Sequence, residues 1–385
     1  MFIDYTDSQK ALRREFRSYF SQLIKPEYRE ELRGAEGGEL YKSLIRQQGK
    51  DQMLAVGWPE EYGGRGLTQS EQLIRYEEAL LAGAPTPFVT LNTVGPALMD
   101  HGTEEQKQRF LPEWVNADSC GFFAITEPNS GSDVASMGTT ATDCGGHWEL
   151  NGQKMWISNA HVGDWGLVYA FTDKSQKYKG MTCFIVNLKG NEGITTAPIE
   201  TKLGLHCAPT GEIAFNRARV PKDSVLGVVG QGFQICMWQL NNTRISCAAG
   251  ALGIAGGAID AAIDYANERT QFGKKIGAYQ MIQAQIADMV AEHEAARLLV
   301  YQAAWLKDQG LPNQYQTSIA KLFASEAAVH AASDTMKIFG SYGFSTEYPA
   351  ERFLRDAQSL RVVEGTSNIQ KTIIAGIALG DAANR

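Results

Sequence analysis

Near the C-terminus a single carboxylate, Glu364, follows Val362 and Val363 and precedes Gly365, with Thr366, Ser367 and Asn368 next and an apolar helical pattern after them. Close apolar neighbours raise a carboxylate's pKa toward the range of a working base. The dipole of the helix that follows would instead hold it ionised and solvated. From the local residues alone both readings stand open. Arg269 and Phe272 offer a planar cation suited to a pyrophosphate and an aromatic surface suited to an adenine. A solvated arginine at a helix end is the plain alternative. Trp156 and Ser158 share one strand face by period-two alternation, so an aromatic cover and a hydroxyl would point the same way. Trp156 as an ordinary barrel-core residue is the alternative there. Thr126 sets a hydroxyl at a strand end, where a turn-forming role is equally open. A helix starting near Asn368 would aim amide donors at a phosphate.

Composition narrows what such groups can serve. The chain has 385 residues, 44% hydrophobic and 21% charged, enough for two or three domains with buried cores. A net charge of −7 argues against nucleic acid and anionic membranes as partners. No apolar run approaches the roughly 18–20 residues that span a bilayer. The start, Met1 to Asp7, has neither the basic residues nor the apolar stretch of a signal peptide. The six cysteines are scattered without a Cys-x-x-Cys pair, so reduced thiols and a cytoplasmic location are expected. The histidines are well separated and no metal-binding spacing is present, so no metal is expected. His293 falls on an apolar helical stripe and is expected in the core.

The elements that must position these groups come in three textures. Residues 1–117 read as helices broken by glycine-rich turns, with stretches at Ser8–Phe20 and Glu71–Leu81. Another helix follows Thr103, where Gln106 completes a capping box. Residues 118–228 read as short strands: Val168–Phe171, Thr182–Val186, Glu212–Phe215, and a hairpin from His147 to Ser158 turning at Asn151-Gly152. A compact antiparallel barrel or sandwich is expected. Long helices return over 229–385, as in the repeat Ile282, Ile286, Met289, His293, Ala296 and Val300. The fold class is therefore mainly α with a central β domain.

Four stretches, Ala124–Ser136, Asn151–Asn159, Glu268–Lys274 with Tyr279 and Gln280, and Phe339–Thr366, resemble the acyl-CoA dehydrogenase family in order and spacing over essentially the whole chain. The resemblance implies an N-terminal helical domain, a β-barrel or sandwich middle domain, a C-terminal four-helix bundle and tightly bound FAD. It places Phe123, Ile125 and Thr126 along the flavin, Trp156 over one flavin face and Ser158 in hydrogen-bonding reach of the cofactor. Ser132 matches a position contacting the flavin phosphate or the thioester end of CoA. Arg269, Phe272 and Gln280 match residues that reach the FAD of a neighbouring subunit. Lys337, Gly340, Ser341, Thr366 and Asn368 match positions around the FAD pyrophosphate and adenosine. Asn241, Arg244 and Gly365 match the substrate side. Asn241 stands where many relatives carry Asp, and Lys337 where Gln or Glu is common.

On the same resemblance, Glu364 removes a Cα proton from a saturated acyl thioester and flavin N5 accepts the Cβ hydride. Some relatives place the base at the position matched by Thr243, which cannot serve as one. The N-terminal third resembles members acting on bulky or ring-bearing acyl-CoAs and the C-terminal half those acting on short or branched ones, so a saturated acyl-CoA of modest or cyclic chain is the expected substrate. Residues 84–94 contain no arginine for a distal carboxylate, which disfavours a dicarboxylic one. Electron-transferring flavoprotein is the implied electron acceptor and a homotetramer the implied assembly. An enoyl-CoA reductase, an enzyme for carrier-bound acyl groups and a non-catalytic subunit of a hetero-oligomer are the alternatives.

Overall fold

Thr6 opens the first helix: its hydroxyl accepts from the Gln9 amide at 3.2 Å, and the Gln9 side chain returns the bond at 3.1 Å. The computed structural model describes residues 4–28, 31–32, 37–206 and 208–380. The N-terminal helices are α1 (Asp7–Leu23), α2 (Glu39–Lys50), α3 (Gln69–Ala82), α4 (Gly95–His101) and α5 (Glu104–Val115). The expected box at Thr103 and Gln106 starts α5, with bonds of 3.2 and 3.0 Å. Gly83 stops α3 in the left-handed region at φ 72°, a conformation glycine adopts without steric cost.

The middle domain holds β1 (Gly121–Ala124), β2 (Thr140–Asp143), β3 (His147–Ser158), β4 (Trp165–Phe171), β5 (Met181–Asn187), β6 (Ile194–Pro198), β7 (Thr210–Pro221) and β8 (Val225–Leu226). They form one sheet in the order β6-β7-β3-β2-β4-β5-β8, with β1 beside β4. Most pairs are antiparallel, as expected, but β1 runs parallel to β4, and β2 touches β4 in parallel at Thr140 and Phe171.

The Asn151-Gly152 hairpin does not form. Instead β3 runs straight through and pairs with β7, with a bulge between Leu150 and Gly152. The asparagine side chain takes up the bulge's spare donor: its Oδ1 accepts from the Arg217 amide at 2.9 Å. A Cβ on Gly152 would lie 2.5 Å from Thr139 Oγ1, so glycine is needed here for a close approach rather than for a tight turn.

The C-terminal domain contains α6 (Gly232–Glu268), α7 (Gln280–Asp308), α8 (Gln314–Phe339), α9 (Ala350–Leu360) and α10 (Ser367–Leu379). α6, α7 and α8 pack together, and α9 and α10 both pack against α8. α6 is long and apolar enough to cross a membrane, yet 83% of its most apolar window is buried inside the protein, which makes it the core helix. Its small residues let α3 approach closely; a Cβ on Gly253 would lie 2.3 Å from Glu77 O. His293 is half-buried and its Nε2 meets Leu252 O at 3.2 Å, the satisfied core position expected of it.

Candidate active site

α9 ends at Leu360, and the Val362 and Val363 amides bond back to Ser359 O at 2.9 and 3.0 Å. The next two residues, Glu364 and Gly365, have φ of 57° and 85°. These two left-handed residues turn the chain so that Thr366 can cap α10, its hydroxyl accepting from the Ile369 amide at 3.3 Å. A left-handed conformation is uncommon for glutamate and needs support from its surroundings. Four hydrogen bonds give it. Arg244 Nε donates to Glu364 O at 3.0 Å, and Lys321 Nζ to Gly365 O at 2.8 Å. Gln370 Nε2 donates to both carbonyls, at 3.3 and 2.9 Å. Arg244, Lys321 and Gln370 are all buried. A Cβ at residue 365 would lie 2.9 Å from Gln370 Nε2, so this network admits only glycine.

The Glu364 side chain points into a closed setting. Its Oε2 is shut off from solvent and has no hydrogen-bond partner among the described residues. Burial pushes the carboxyl from 4.5 up to about 7, against the opposing pull of the Arg244 and Lys321 cations. Of the two readings open from the sequence, the desolvated carboxylate is the one the fold builds. An unpaired buried oxygen on a group that titrates near neutrality is what a proton acceptor needs.

Glu364 lines a cavity of about 210 Å³ where all three domains meet. Tyr76, Phe88 and Val89 come from the N-terminal domain, Ser158 from β3, and Cys247, Leu360 and Val363 from the C-terminal helices. The charged residues Arg352, Arg355, Glu351 and Asp356 of α9 also border it, with Arg352 at 3.7 Å from Asp356.

A second assembly lies along β1 and β3. Phe123 packs edge-on to Tyr169 at 5.7 Å, the Ile125 side chain is buried, and half-buried Thr126 accepts from the Met155 amide at 2.9 Å. Trp156 is 56% exposed, which removes the barrel-core reading. It also breaks simple alternation, since β3 bulges between Lys154 and Ile157 and Trp156 takes φ 61°. Beneath it Lys154 is fully buried, donating to Ile125 O at 3.0 Å and to Glu127 Oε1 at 2.9 Å. Glu127 also accepts from the Thr139 amide at 2.9 Å and from the Gly138 amide. This buried pair ties the Thr126 segment to the strand that carries Trp156.

The remaining expected residues lie off the cavity wall. Ser132, Phe272, Gln280, Lys337, Gly340, Ser341 and Asn368 are exposed and Arg269 is half-buried. Phe272 is 95% exposed, the Arg269 guanidinium stands 5.4 Å over the Tyr342 ring, and Lys337 pairs with Asp334 at 2.6 Å. Asn241 Nδ2 donates to Asn313 Oδ1 at 2.9 Å, while its own Oδ1 is buried without a partner among the described residues. Sequence reasoning missed Lys321, Gln370, Lys154 and Glu127. Lys154 and Glu127 stand inside two of the recognised stretches, whereas Lys321 sits mid-helix with no local mark.

Known proteins resemble this chain along nearly its whole length. Models of the acyl-CoA dehydrogenase N-terminal, middle and C-terminal domains match residues 6–118, 122–218 and 230–379. A glutaryl-CoA dehydrogenase of Desulfococcus multivorans is 44% identical over 346 residues, covering 88% of this chain and 89% of its own. The solved glutaryl-coenzyme A dehydrogenase in complex with glutaryl-CoA superposes with a TM-score of 0.93 at 40% identity, over 100% of this chain and 98% of the other. Butyryl-CoA dehydrogenase from Megasphaera elsdenii gives 0.91 at 34% identity, over 98% of this chain and 100% of the other. Domain order and likeness along nearly the full length agree, and the chain belongs to the acyl-CoA dehydrogenase family of FAD-dependent oxidoreductases.

Proposed function

We propose that this enzyme converts a saturated acyl-CoA thioester to the trans-2-enoyl-CoA, with Glu364 as the base that removes the Cα proton. The carrying observation is the buried, unpartnered Glu364 Oε2 inside the three-domain cavity. The Cα–H of a thioester is only weakly acidic, so removing its proton takes a desolvated base and donors for the thioester oxygen together. Glu364 supplies the first. Its own backbone amide is the donor this chain offers for the second.

The residues along β1 and β3, together with Phe272 and Gly340 on the C-terminal domain, fit FAD. Trp156 and Phe272 present exposed aromatic surfaces, Thr126 and Ser158 bring hydroxyls, and Gly340 leaves open space where a Cβ would stand. FAD, when bound, supplies the acceptor for the Cβ hydride. In this reading Thr126, Trp156 and Ser158 orient the flavin, while Arg269, Phe272 and Gln280 serve the FAD of a neighbouring copy in a homotetramer. Lys337, Gly340, Ser341, Thr366 and Asn368 lie toward its pyrophosphate and adenosine, and Ser132 and Asn241 toward CoA. Arg244 acts through Glu364, fixing the turn from which the carboxylate projects. Electron-transferring flavoprotein is the electron acceptor.

The modest, mostly apolar cavity favours a short or branched acyl chain. Arg352 on its border, together with the glutaryl-CoA dehydrogenase relative, favours a dicarboxylic acyl group as the second reading. Anaerobic addition of butyryl-, isobutyryl-, cyclohexanoyl- and glutaryl-CoA to the oxidised holoenzyme separates these. Rapid flavin bleaching by a monocarboxylic acyl-CoA, lost in E364Q, is expected; bleaching by glutaryl-CoA alone selects the second reading. Bleaching that persists in E364Q removes Glu364 as the base.

A further inference from the structure

Far along the sequence from Glu364, the turn between β2 and β3 gathers three residues of different ligand type. The side-chain ligand atoms of Cys144, His147 and Glu149 all lie within 4.8 Å of one another. None of the three borders the Glu364 cavity. The sequence shows no familiar metal spacing here, because the grouping depends on how the turn is folded.

The turn is closely specified. The Cys144 amide donates to His147 O at 3.0 Å, and Gly145 takes φ 80°. The Gly145 amide donates to Asp143 Oδ1 at 2.8 Å. This brings Cys144 back over the start of β3. His147 and Glu149 then follow on one strand face by alternation, with Trp148 between them buried in the sheet core. Glu149 is already oriented from behind: its Oε1 accepts from Asn151 Nδ2 at 3.4 Å and its Oε2 from Arg217 Nε at 3.2 Å. Such outer partners are what fix ligand direction in metal sites. Cys144 is exposed, so an ion has a path in.

We propose that Cys144, His147 and Glu149 form a surface site for a thiophilic divalent ion of the zinc type, with water as the fourth ligand. A thiolate, a neutral imidazole and a carboxylate are the donors such an ion prefers, and the two negative ligands balance its charge. Metal–ligand bonds of about 2.0–2.3 Å in a tetrahedron put ligand atoms roughly 3.3–3.8 Å apart. Small rotations of these side chains close the remaining distance. Binding forms the sulfur–metal bond and releases the Cys144 thiol proton to solvent, with no change of oxidation state. The bound ion shields the thiol from alkylation and oxidation.

The test uses the FAD-loaded protein after removal of adventitious metal with a chelator. Titration with Co²⁺ should give a saturable thiolate-to-metal charge-transfer band at one equivalent, read as a difference spectrum against the flavin. Zn²⁺ should displace it, and calorimetry in buffers of different ionisation enthalpy should show about one proton released per ion. C144S should lose the band, and H147A and E149Q should each bind at least about tenfold more weakly, since even an orienting partner contributes 10- to 100-fold. Zn²⁺ should slow iodoacetamide labelling of Cys144, and acyl-CoA turnover should be the same in C144S. Absence of saturable binding, a band that survives in C144S, or unchanged affinity in H147A overturns the site.

Discussion

Glu364→Gln keeps the shape of the side chain and removes its proton exchange, so its consequences can be worked out before any measurement. Burial moves the folded-state carboxyl from 4.5 up to about 7. At about 1.4 kcal/mol per pH unit, that difference comes to about 3 kcal/mol. The sign follows from proton linkage. Between these two values the folded enzyme holds a proton that the unfolded chain has released. The contribution is therefore fully present below 4.5 and falls as pH rises, and it is lost above about 7. The glutamine variant has no such slope. An unpaired N–H of its amide would add a penalty of about 1–3 kcal/mol, but that penalty is the same at every pH.

The observable is thus the change with pH of the stability difference between the two proteins. From pH 5 to pH 8, with FAD saturating, wild type should lose about 3 kcal/mol relative to E364Q. For a 385-residue chain with about 2.1 cal/mol/K of unfolding entropy per residue, this is roughly 4 °C in relative melting temperature. Thermal scans across that range measure it. A difference that stays flat with pH would refute the desolvated carboxylate, whatever the kinetics show. The kinetics supply the second half: kcat/KM of wild type should rise with pH through about 7, as the base ionises. E364Q should lose about 10²- to 10⁴-fold of the turnover.

Lys321→Met removes a cation that favours the ionised Glu364 together with its bond to Gly365 O, so the kinetic midpoint should move upward from about 7 in a pH profile of kcat/KM. Gly365→Ala forces a methyl toward Gln370 Nε2 at φ 85° and should cost about 1–3 kcal/mol, read by urea denaturation with loss of activity. Lys154→Met leaves buried Glu127 without its counter-ion and should destabilise by about 3–5 kcal/mol, while E127Q/K154M should cost less than the sum of its single changes in a double-mutant cycle. Trp156→Ala should barely change the stability of the apoprotein, as the side chain is 56% exposed, but should weaken FAD retention measured by flavin fluorescence.

What the sequence made legible divides by the range of the interaction. The Thr103–Gln106 box and the Gly83 stop of α3 are closed by residues within one turn and are readable directly, whereas the Thr68–Glu71 box that starts α3 is not among the sequence expectations. Asn151-Gly152 carries the same letters as a hairpin turn but becomes a bulge, because Asn151 bonds the Arg217 amide 66 residues away. Alternation puts Trp156 and Ser158 on one strand face, and the bulge before Ile157 interrupts that alternation. Glu364 shows the limit most clearly. Its neighbours permit either a solvated or a desolvated carboxylate, and the deciding groups are distant: Arg244, 120 residues away, and Lys321, 44 residues from Gly365. Both donate to the backbone of the turn rather than to the carboxylate. They fix where Glu364 points while leaving its Oε2 unpaired, which holds the base in place without neutralising it. A salt bridge from either cation to the carboxylate would instead have lowered its pKa and removed the poise near neutrality. The separation between holding the backbone and sparing the side chain is the feature that the Lys321→Met pH profile examines most directly.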